Sequence, residues 1–150
     1  MTEGFSEEDH RLWRLFLSSS TRLLERLDHE LQQRSQLSLT DFDILSMLSN
    51  APANRLRMSE LAEQVLVSRS RLTYRVDRLG ELDYVTRQEC EDDRRGLFAI
   101  LTDNGAKALA AAAPGHVNDI RTWLWSLVEP EERAVLTQVL ARVDANLSTY

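Results

Sequence analysis

Apolar residues recur at spacings of three and four between Glu7 and Leu37, at Leu12, Leu15, Phe16, Leu23, Leu24, Leu27 and Leu31, with no proline or glycine among them. That period lines them along one side of a helix, so the stretch is predicted as one long helix. Trp13 lies off the strictest stripe and suits either ordinary core packing or a second buried face against another chain. A second helix is expected from Thr40, whose hydroxyl would cap the free amides with Asp43 at the N3 position. It would bury Phe42, Leu45 and Leu48 and end at Asn50-Ala51-Pro52-Ala53-Asn54. After a short turn or strand at Leu56 to Met58, Ser59 reads as the cap of a third helix with Leu61, Ala62 and Val65 inward. Val67-Ser68 is the next turn. Ser68 caps a fourth helix, Arg69 to Leu82, whose inner stripe is Leu72, Val76 and Leu79.

The period then changes to two. Tyr84 to Glu89 and Leu97 to Leu101 read as strands, with Val85, Leu97, Ala99 and Leu101 toward the core, joined across a polar tip from Glu91 to Gly96. Thr102 caps a further helix reaching about Val128, in which Pro114 should cause a kink or break near Pro114-Gly115. Pro130-Glu131-Glu132 opens the last helix, to about Leu147. Leu124, Leu127, Val128, Leu136, Val139, Leu140, Val143 and Leu147 form apolar stripes there, with Trp123 and Trp125 on different sides. The fold class is therefore mainly α with a small β wing. Its two ends carry more apolar surface than they have core to cover, which points to a homodimer.

Charge changes the picture more than composition does. A chain of 150 residues with 43% hydrophobic residues can pack a core, yet its net charge of −6 looks wrong for a nucleic-acid binder. The net negative charge, however, lies at the two ends, −4 over residues 1–50 and −2 over 101–150 against 0 over 51–100, while Arg55 to Arg78 carries six arginines against Glu60, Glu63 and Asp77. The longest apolar run, Ala108 to Pro114, is too short to span a membrane, and the acidic stretch Met1 to Asp9 is unlike a signal peptide, so a cytoplasmic protein is expected. One cysteine, Cys90, allows neither an internal disulfide nor a thiolate-rich zinc site, and its acidic neighbours favour a structural role over thiolate sensing. No Ser/His/Asp set or carboxylate pair suggests an enzyme, and His10, His29 and His116 are too scattered to hold a metal. No cofactor is implied.

On the fourth helix, Ser70, Arg71, Tyr74, Arg75 and Arg78 fall on or near the face opposite the apolar stripe. An arginine-bearing helix followed at once by a hairpin tipped with Asp93-Arg94-Arg95-Gly96 suits a helix in a DNA major groove and a wing in the minor groove. A protein-interaction module on the same fold, without DNA binding, is the rival reading.

Ser59-Glu60-Leu61-Ala62, Val67 to Thr73, Val76-Asp77-Arg78-Leu79 and the wing pattern Asp93-x-Arg95 with Leu101-Thr102 strongly resemble the MarR family of winged-helix transcriptional regulators. The likeness runs over nearly the whole chain. It implies a single domain, with a winged helix-turn-helix lobe at 38–102 and a helical dimerisation region from 1–37 and 103–150. It also implies a homodimer on a pseudopalindromic double-stranded operator, acting as a repressor, with release by a small aromatic or phenolic anion or by cysteine oxidation. Ser68, Ser70, Arg71, Thr73, Tyr74, Arg75 and Arg78 would meet the major groove, and Arg94 and Arg95 the minor groove, with Asp93 orienting the wing guanidinium. Trp13, Phe16, His29 and His116 either border an effector pocket or belong to core and dimer packing. Two departures stand out: Asp83 where the family often has glycine, and the order Tyr74-Arg75 where many members have arginine and then an apolar residue.

Overall fold

The computed structural model describes residues 4–148. Residues 1–3, within the acidic stretch Met1 to Asp9, residues 149–150 and the side chain of Arg94 lie outside the described residues. Helices α1 (Glu7–Ser35) and α2 (Leu39–Asn50) precede strand β1 (Arg55–Arg57), which leads into α3 (Met58–Val65) and α4 (Arg69–Glu81). Strands β2 (Val85–Cys90) and β3 (Asp93–Leu101) form the hairpin, and helices α5 (Asp103–Trp123) and α6 (Pro130–Leu147) complete the chain. The sheet is antiparallel in the order β1-β3-β2, with Arg57 opposite Phe98 and Val85 opposite Leu101.

Two compact units result, one through His116 and one from Val117 onward. In the first, Leu61, Leu72, Val76 and Leu79 of α3 and α4 meet Ile44, Leu45 and Leu48 of α2. Val85, Ala99 and Leu101 of the sheet and Leu31 and Leu37 from the end of α1 close the same core. The expected inner stripe of α4 is therefore buried, and the alternation of the hairpin holds at Val85, Ala99 and Leu101. Leu97 is an exception. It is 38% exposed because it lies beyond the part of the wing that covers the core.

Several boundaries differ from expectation. Helix α2 is capped by Ser38, not Thr40: the Ser38 hydroxyl accepts from the Asp41 amide at 3.0 Å, and Asp41 Oδ2 accepts from the Ser38 amide at 2.9 Å. Asp28 Oδ1 accepts from Leu39 N–H at 2.8 Å and fixes that start from α1. Asp43, displaced from the cap, is pushed above the ordinary carboxylate pKa by desolvation. Helix α3 starts two residues early. Arg57 rather than Ser59 occupies its cap, with the Arg57 amide donating to Glu60 Oε2 at 3.2 Å. Helix α5 carries Pro114 without ending there, and a separate 3₁₀ turn, Trp125–Leu127, occupies the stretch expected to continue it to Val128.

Candidate nucleic-acid interface

Ser68 starts α4 as the sequence implies, its hydroxyl accepting from the Arg71 amide at 3.3 Å. The preceding turn is made by Leu66, which adopts φ 58° and ends α3 as the Val67 amide donates to the Ala62 carbonyl at 3.1 Å. With Leu72, Val76 and Leu79 buried, the helical period leaves Ser70, Arg71, Tyr74 and Arg78 exposed together. Thr73 is exposed too, but its hydroxyl donates to the Arg69 carbonyl at 2.9 Å.

Arg75 behaves differently from its neighbours. Its guanidinium turns back toward α2, with Nη1 3.5 Å from Asp41 Oδ2, and its side chain keeps only 25% of its exposure. The expectation that Arg75 faces outward is therefore corrected. A buried carboxylate draws it off the outer face, and Asp41 joins the start of α2 to the middle of α4. Tyr74, 58% exposed, remains on the outer face.

The wing departs from a simple polar tip. Cys90 pairs with Asp93 across the two-residue turn Glu91-Asp92, while Glu89 pairs with Leu97. Arg94, Arg95 and Gly96 are therefore extra residues on β3 opposite the single step from Glu89 to Cys90, so the arginines ride on a bulge. Asp93 Oδ1 accepts from the Arg95 main-chain amide at 3.0 Å, and its Oδ2 lies 3.9 Å from Arg57 Nη1. Asp93 thus holds the main chain at Arg95. Buried Cys90 supports the bulge from below: a Cβ on Gly96 would stand 3.0 Å from its sulfur.

Between α4 and the wing lies a cleft of about 350 Å³ lined by residues including Arg57, Arg69, Thr73, Asp93 and Arg95. Arg55 and Arg57 lie over the Phe98 ring, at 4.6 and 5.7 Å from its centre. Sequence reasoning did not assign Arg55, Arg57 and Arg69 to the site, although the alternation Arg55-x-Arg57 just before the helix pair was a usable signal. The surface can therefore offer guanidinium groups from β1, α4 and the wing to a polyanion, with side chains beside them able to read base edges.

Of the residues considered for an effector, Trp13 and Phe16 stack at 6.2 Å and are about half exposed. His29 is exposed on α1. His116 is buried against Phe42 at 4.5 Å between ring centres, and among the described residues its Nδ1 has no hydrogen-bond partner. Burial first, and the positive Arg34 second, hold its imidazole below the ordinary histidine pKa.

Residues 35–96 match the family model described as MarR family. The transcriptional regulator PecS of Dickeya dadantii is 31% identical over 132 residues, 87% of this chain and 79% of that protein. The transcriptional repressor MprA of Escherichia coli K12 is 28% identical across 97% of this chain and 81% of its own length. Among solved structures, Sco3205, a MarR family regulator from Streptomyces coelicolor in complex with DNA, superposes with a TM-score of 0.94. It is 35% identical, and the match covers 97% of this chain and 91% of that one.

Proposed function

Because the chain belongs to the MarR family of winged-helix transcriptional regulators, not of enzymes, we propose that it is a homodimeric, sequence-specific DNA-binding repressor. The observation that carries the reading is the juxtaposition of exposed Ser70, Arg71, Tyr74 and Arg78 on α4 with Arg95 on the wing bulge, across a cleft lined by Arg57 and Arg69. Major-groove contacts come from α4, with Ser68 and the free amides at its start meeting a phosphate. Arg94 and Arg95 enter the adjacent minor groove. The DNA complex of Sco3205 and the repressor naming of MprA support the same assignment.

Dimerisation supplies the second half-site of a pseudopalindromic operator. Its support is the apolar surface at the two ends of the chain: Leu12, Leu15, Phe16 and Leu24 on α1, and Val139, Leu140, Val143 and Leu147 on α6, all at least 40% exposed. Release by a small aromatic anion belongs to the same proposal, with the stacked Trp13 and Phe16 as its contact. The protein works in the cytoplasm, and among the described residues no helix is long and apolar enough to cross a membrane.

The test is selection of duplexes from a random-sequence pool by the full chain, followed by titration of the selected duplex. Arg95→Ala should weaken binding by about 1–3 kcal/mol at physiological salt. Unchanged affinity would remove the wing from the interface. A wild-type protein that retains no duplex in a salt-dependent manner would return the chain to the protein-interaction reading. Titrating the bound complex with a panel of aromatic carboxylates tests release.

A further inference from the structure

Arg87 lies in the wing stem, on β2, yet its guanidinium rests on the recognition helix. Its Nη2 donates to the Thr73 carbonyl at 3.2 Å and stands 2.8 Å from Asp77 Oδ1. Those acceptors sit one turn apart on α4, so one nitrogen spans a full turn of the helix. Thr73 also lines the cleft that faces Arg95. The contact therefore joins the two elements that would enter neighbouring grooves, at a residue of α4 that lines one cleft with the wing arginine.

As a source of stability this pair is slight, because the side chains of Arg87 and Asp77 keep 31% and 56% of their exposure. Asp77 is also an electrostatic oddity. A carboxylate beside Arg78 on the DNA-facing helix repels phosphate, and long-range charge would favour its absence. Receiving Arg87 gives it a reason to be there. A planar guanidinium held at two acceptors fixes a distance, which a flexible point charge does not.

We propose that Arg87 is a positioning residue for DNA recognition: by clamping β2 to Thr73 and Asp77 of α4, it sets the spacing between the major-groove helix and the minor-groove arginines. This rests on the DNA-binding reading above. The two groove contacts then engage one half-site together, and loosening the clamp costs specific binding without removing a phosphate contact.

The experiment uses the full chain, the duplex selected by wild type and a mixed-sequence duplex, with affinities measured over a range of salt. Arg87→Ala and Asp77→Ala should each weaken the selected duplex roughly tenfold, the scale of one lost base contact. The double variant should be no weaker than either single one, and the salt dependence should keep its slope. Mixed-sequence binding and the unfolding midpoint should hardly move. If Asp77→Ala tightens binding, charge alone governs the position and the proposal falls. If Arg87→Ala lowers the salt slope by about 0.9, Arg87 touches phosphate directly and the proposal falls. Wild type that selects no duplex overturns the functional reading and this proposal together.

Discussion

Asp83 leaves α4 with φ 58°, a backbone state that costs a residue with a Cβ about 1–2 kcal/mol. Two hydrogen bonds offset it. The Thr102 hydroxyl donates to the Asp83 carbonyl at 2.5 Å, and Asn104 Nδ2 donates to its Oδ2 at 2.7 Å. Asp83→Ala keeps the backbone cost and loses the Asn104 bond, so urea unfolding should show a loss of about 1 kcal/mol. Asp83→Gly relieves the backbone and should stay within about 0.5 kcal/mol of wild type. Equal losses in both would mean that the Asn104 bond outweighs the backbone term. At His116 the sign of the pH effect follows from the lowered pKa. As pH falls through the ordinary histidine value of about 6.5, the unfolded chain takes up the proton first, so stability present above that value is lost below it. His116→Phe, placing an apolar ring against Phe42, should remove this loss when unfolding is compared between about pH 7.5 and 5.5. The sequence marked Asp83 as special because the family often has glycine there. It could not show that His116 is buried against Phe42, because that contact joins residues far apart in the chain.

Periodicity and capping residues located the six α-helices, and Leu72, Val76 and Leu79 fixed which side of α4 is buried. The start of α2 was less legible, because Ser38 with Asp41 and Thr40 with Asp43 are equally good capping pairs two residues apart. Asp28 decides between them from outside the segment. The turning of Arg75 toward Asp41 and the bulge of Arg94-Arg95-Gly96 were hidden for the same reason: each depends on a partner element. The junction of hairpin and α5 is the most tightly built of these joints. Gly105 donates to the Thr102 hydroxyl at 2.9 Å, and a Cβ there would run into the Tyr84 carbonyl and stand 2.7 Å from Leu101 Cδ1. Gly105→Ala should therefore destabilise the fold by about 2 kcal/mol or more despite better helix propensity, measured by thermal unfolding. Ser68→Ala removes a cap and should cost about 1 kcal/mol, with operator affinity falling further as the start of α4 frays.

For the whole molecule, the net charge of −6 and a DNA-facing surface are compatible because the arginines are segregated. Operator affinity should fall steeply with salt, by a slope of about 0.9 for each phosphate neutralised, even though the isolated chain is acidic. The uncovered apolar faces of α1 and α6 make the expected assembly measurable. Light scattering at micromolar concentration should give a dimer, and paired Leu140→Asp and Val143→Asp should give a monomer. A wild-type monomer would rule out the two-half-site arrangement. The hairpin, finally, separates inheritance from adaptation. Its paired stem places Val85, Ala99 and Leu101 in the core and cannot slip by one residue without turning them outward. The bulge carries the arginines outside that pairing, so residues there can be exchanged, added or removed without resetting the stem. Relatives that recognise different operators should diverge first at positions 94 and 95 and last in the strands beneath them, with Gly96 held by its close approach to Cys90.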